Sequence, residues 1–129
     1  MKAELLMDLL KQEKIIDDRG LYSKIQIVYS EYAKVLKVAS GMTTSAGQDG
    51  YIGVYENSLV CFEHSLIGGK PTKEVFRVPF ENILEHELRK GFLGLSFVLL
   101  IKTNERKYKL VATLTRKQQI QAIEDAIKK

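Results

Sequence analysis

The sequence predicts a mainly β fold with flanking helices: a seven-stranded antiparallel barrel or bent sandwich, capped by a C-terminal helix and preceded by one or two further helices. Three observations carry that expectation. From residue 34 onward, short β-favouring apolar runs recur between turn residues; the links between them are too short for parallel crossovers; and the chain ends in a well-signalled amphipathic helix. A length of 129 residues, 45% hydrophobic and 28% charged, suits one globular domain with a real core.

Between Ala3 and Asp18, residues Leu5, Leu6, Leu9, Leu10 and Ile16 gather on one helical face, with Asp8, Lys11, Gln12 and Lys14 largely elsewhere, and Gly20 supplies a stop. Residues 21–32 fit two periods. Leu21, Ile25, Val28, Tyr29 and Tyr32 make a helical stripe, while Ile25, Ile27 and Tyr29 alternate as in a strand; the helical reading is favoured. Residues 1–32 are accordingly expected to form a helical extension packed on the barrel, and residues 33–129 the barrel domain. Seven strands are predicted over residues 34–39, 50–56, 58–64, 73–79, 83–90, 95–103 and 106–114, linked by short polar or glycine-rich turns. Thr115, with Gln118 three residues later, reads as a capping box. The helix it opens carries Ile120, Ile123 and Ile127 on one face and points Lys117, Gln121, Glu124 and Lys128 away.

Composition narrows the setting. The longest apolar run, Phe97 to Ile101, has the length of a buried strand and not of a membrane span. The N-terminus mixes charges among its leucines, unlike a secretory signal, and Cys61 is the only cysteine, so a cytoplasmic protein without an internal disulfide is expected. The net charge of +4 is uneven: residues 1–64 hold 7 basic and 9 acidic side chains, whereas residues 65–129 hold 13 and 7. Such a basic half attracts phosphates or anionic headgroups, or simply solvates strand faces.

The stretch from Asp49 to Lys90, with its strand, tight polar turn, aromatic-ended strand and Gly68-Gly69-Lys70 hairpin, resembles bacterial pleckstrin-homology-like domains of the YokE type. Val78-Pro79-Phe80-Glu81-Asn82-Ile83 and Lys90-Gly91-Phe92-Leu93-Gly94 are similar to further segments of that family, and the likeness spans roughly residues 34–128. The resemblance implies a PH-like barrel that serves as a binding platform for proteins, peptides or phosphoinositides. It brings no defining functional residue with it.

SLIGGKPT, residues 65–72, lacks the first glycine, the hydroxyl residue and the following helix of a nucleotide-binding P-loop, so it reads as a turn with a positive-φ glycine. Cys61 and His64 fall on opposite faces of one strand, no metal site is expected, and no cofactor is implied. His86 is expected inward, and Glu85, Glu87 and Arg89 form an exposed charge ladder. No acid-base pair or nucleophile motif points to catalysis, so a non-enzymatic interaction module for a protein partner is the leading expectation. The runner-up is anionic headgroup or phosphorylated-ligand binding in peripheral membrane contact, through Lys70, Lys73, Arg89, Lys90, Lys107, Lys109, Arg116 and Lys117. Tyr108 is the one aromatic within the basic run and turns inward, which argues against nucleic acid. The Leu5, Leu6, Leu9, Leu10 stripe packs on the barrel, on the second helical segment or on another chain, by self-association or partner docking; packing within the chain is favoured.

Overall fold

A computed structural model describes residues 3–28 and 47–128. The order of elements is α1 (Ala3–Gln12), β1 (Tyr22–Val28), β2 (Gly47–Tyr55), β3 (Ser58–His64), β4 (Pro71–Pro79), β5 (Ile83–Lys90), β6 (Ser96–Thr103), β7 (Lys107–Thr113) and α2 (Lys117–Lys128). The seven strands form one antiparallel sheet in the order β4-β3-β2-β1-β7-β6-β5. The sheet is not closed into a barrel: β4 and β5 are its two edges, joined by a 3₁₀ turn at Phe80–Asn82.

Bending brings the inner face of the sheet onto itself. Phe76 of β4 touches Tyr108 of β7, with ring centroids 4.3 Å apart. Between the two arms lies a core of Ile25, Ile27, Ile52, Leu59, Cys61, Leu99 and Leu110, which α2 closes with Ile120, Ile123 and Ile127. A second core lies on the opposite, outer face. There Leu6 and Leu10 of α1, with Ile15 and Ile16 of the loop after it, cover Tyr51, Val60 and Phe62 of β2 and β3.

Several expectations are corrected. Residues 22–28, favoured as helix, form β1 at the centre of the sheet, paired with β2 on one side and β7 on the other. Ladder hydrogen bonds on both edges and the inward burial of Ile25 and Ile27 select the strand period over the helical one that the residues alone favour. The strand expected over residues 34–39 lies outside the described residues. The first helix ends at Gln12, well short of Asp18, with Lys14 in the left-handed region (φ 58°). The turn there sends Ile15 and Ile16 into the outer core, where both are buried, and that burial outweighs two more turns of helix.

The capping box does not form. The last helix enters through a 3₁₀ turn at Leu114–Arg116, whose N-cap is Thr113, and the Thr115 hydroxyl pairs with that of Thr113 at 2.7 Å. Glu124, expected to point away, is buried, with Oε2 3.4 Å from His86 Nδ1 and Oε1 3.3 Å from Lys128 Nζ. Desolvating a carboxylate is tolerated only with such partners.

Gly53 is what lets the α1 loop lie so close to the sheet. A Cβ on it would meet the Ile15 carbonyl oxygen at 2.6 Å. Asp17 then pins the loop to the β2–β3 turn: it accepts from the Arg19 guanidinium (2.7 Å) and from the Glu56 amide (2.8 Å). The Arg19 side-chain hydrogen bond first, and backbone donors after it, lower its pKa to about 2.

Candidate functional site

Strand alternation divides the outer face into two halves. On β5, β6 and β7 the register sets Glu85 beside Lys102 and Lys107, Glu87 beside Leu100 and Lys109, and Arg89 beside Val98 and Val111, all on the face away from the inner core. No helix among the described residues covers this half, and a groove of about 490 Å³ runs along it, with Glu85, Glu87, Leu100, Lys102 and Lys107 in its lining. Leu100 is half-buried in its floor, while Glu85, Glu87 and Lys107 are exposed. The groove borders β5, whose far edge has no neighbouring strand among the described residues and so presents unpaired backbone groups.

The other edge is guarded. β4 begins and ends on proline, at Pro71 and Pro79, and proline blunts an edge by removing ladder donors.

A second depression, also about 490 Å³, is polar. Lys24, Asp49, His64, Thr113, Thr115 and Arg116 are among its lining residues. His64 stacks on Tyr51 with centroids 4.8 Å apart, and its Nδ1 lies 2.8 Å from the Ser65 carbonyl oxygen, which fixes that nitrogen as the donor. Burial, with Tyr22 beside it, raises the pKa of the Tyr51 phenol, and Arg116 pulls the other way.

The eight basic residues singled out in the sequence occupy several places. Arg89, Lys107 and Lys109 share the bare outer half, and Lys107 lines its groove. Lys90 lies at the end of β5, Arg116 lines the polar depression, and Lys117 opens α2. Lys70 and Lys73 belong to the β3–β4 hairpin, where Gly68 (φ 80°) and Gly69 (φ 64°) make the turn. Among the described residues none of these eight forms an ion pair, although Lys11, Arg19, Arg77 and Lys128 all do.

Sequence reasoning missed Leu100 because a continuous apolar run suggests burial on both faces. It missed Lys24, and it weighed His64 only as a metal ligand, because only the folded register brings the two near Arg116. Of the leucine stripe, Leu6 and Leu10 are buried within the chain and Leu5 is exposed. Cys61 is buried in the inner core, where desolvation pushes its thiol well above the ordinary range, which leaves it without thiolate character. Among the described residues no three His, Cys, Asp or Glu side chains gather as a metal site, and no helix is long and apolar enough to cross a membrane. No protein-family model matches the chain, and no curated protein matches it either.

Proposed function

We propose that this chain is a non-enzymatic, cytoplasmic binding module with a pleckstrin-homology-like plan, and that it captures an extended segment of a protein partner along β5. The observation that carries this reading is the contrast between a bare, grooved outer half with an open edge strand and a covered half with a guarded edge. A segment added antiparallel to β5 gains main-chain hydrogen bonds, and its outward side chains lie beside Glu85, Glu87 and Arg89. The preferred ligand therefore carries basic residues opposite the two glutamates, an acidic one opposite Arg89, and an apolar side chain long enough to reach Leu100.

Selection from a displayed library of extended peptides tests this. Enrichment of such sequences, with binding lost in Leu100→Glu and Glu85→Lys/Glu87→Lys variants, is expected; enrichment of peptides indifferent to these changes contradicts it.

Anionic headgroup binding is the second reading. It is favoured by the eight basic side chains that lack ion-pair partners among the described residues. Such attachment weakens as salt shortens the Debye length. Co-sedimentation with anionic vesicles that falls as salt rises is expected, and absence of binding at low salt overturns it.

A further inference from the structure

Two of the most exposed aliphatic side chains in the structure sit side by side. Leu66 is 85% exposed and Ile67 is 92% exposed, at the tip of the β3–β4 hairpin. Scattered exposed leucines are ordinary, but a braced pair is not. The Ser65 amide donates to the Lys70 carbonyl (2.9 Å), the Ser65 hydroxyl to the Ile67 carbonyl (2.6 Å), and the Lys70 amide to the Ser65 hydroxyl (3.3 Å). From the sheet, the buried Tyr51 donates its hydroxyl to the Gly69 carbonyl at 2.8 Å. The turn is thus tied at both its neck and its shoulder, which fixes the backbone that carries the two exposed side chains at its tip.

We infer that the β3–β4 hairpin is a membrane-insertion element: Leu66 and Ile67 enter the interfacial layer of an anionic bilayer while Lys70 and Lys73 meet its headgroups. The inference rests on the headgroup reading above and adds an apolar anchor to it. Residues 65–73 carry two lysines and no acid; of the flanking carboxylates, Glu74 is held by Arg77 at 2.9 Å, and Glu63 lies opposite Lys73 in the ladder, which leaves Lys70 at the tip as the leading cation. Two adjacent side chains cannot supply the roughly 800 Å² per partner of a specific protein interface. A shallow apolar wedge beside cations is instead the combination that holds peripheral proteins reversibly on anionic lipid.

The chain contains no tryptophan, so Ile67→Trp introduces a single fluorescent reporter at the tip. With phosphatidylcholine vesicles containing about 30% phosphatidylserine, the emission of this variant is expected to shift to the blue and to be quenched by brominated acyl chains. In the otherwise unaltered chain, Leu66→Asp/Ile67→Asp is expected to lower the vesicle-bound fraction about tenfold, with far-UV circular dichroism unchanged, because both positions face solvent. Leu66→Ser/Ile67→Ser gives the same loss without added negative charge. Sedimentation of the protein with anionic vesicles, combined with an unshifted emission from the Ile67→Trp variant and full binding by the Ser pair, overturns insertion and leaves the headgroup reading standing. No sedimentation of the unaltered chain at low salt overturns both.

Discussion

The two halves of the outer sheet face share one backbone and differ in what lies on them. Over β2 and β3, α1 and its loop bury Leu6, Leu10, Ile15 and Ile16 against Tyr51, Val60 and Phe62. Over β5, β6 and β7 the same face carries Leu100 between rows of glutamate and lysine, and no helix among the described residues covers it, although Val98 nearer the β5–β6 turn is buried. A sheet of this kind needs one face buried for stability and can leave part of the other for contacts. Apolar side chains in the covered half should therefore carry stability, and those in the bare half should carry binding.

The largest expected difference between the halves is thermodynamic. Leu10→Ala empties a fully buried site and should cost about 2–5 kcal/mol, whereas Leu100→Ala should cost under about 1 kcal/mol, both read from urea unfolding. Equal costs would remove the distinction. Next comes Gly53→Ala, whose methyl must displace the Ile15 carbonyl; a loss of about 1–3 kcal/mol is expected, and a neutral result would mean that the loop does not lie on β2.

The smallest effect concerns the clasp at Asp17. Its folded pKa is depressed to about 2, so its contribution is present above the ordinary carboxylate pKa and is lost as pH falls from about 4 through 2. The carboxylate is partly solvated, so Asp17→Asn should cost only about 1 kcal/mol at neutral pH and should flatten that acid limb of the stability profile. An unchanged acid limb in the variant would show that other carboxylates govern it.

How much of this is legible in the residues varies with the range of the deciding interactions. β3 and β5 begin and end where turn residues place them, at Ser58–His64 and Ile83–Lys90, because local alternation and short links settle both. β1 reads as helix in the sequence because its residues satisfy two periods, and only its two neighbours in the sheet break the tie. Glu124 looks solvent-facing because its partner His86 lies 38 residues away along the chain. The candidate site follows the same rule. Lysines and arginines announce themselves by type, but which of them share a face with Leu100 is a matter of register. In SLIGGK the glycines and the lysine draw attention first; the two aliphatic residues before them gain their meaning only from their exposure at the tip of a turn whose backbone is tied to the sheet.

Amide hydrogen exchange, with and without a selected extended peptide, tests the contrast most directly. Docking at the open edge predicts slowed exchange in β5, Ile83–Lys90, with α1 and β4 unchanged. Slowing confined to α1 or β4, with β5 unaffected, would contradict the assignment of the bare half as the binding face.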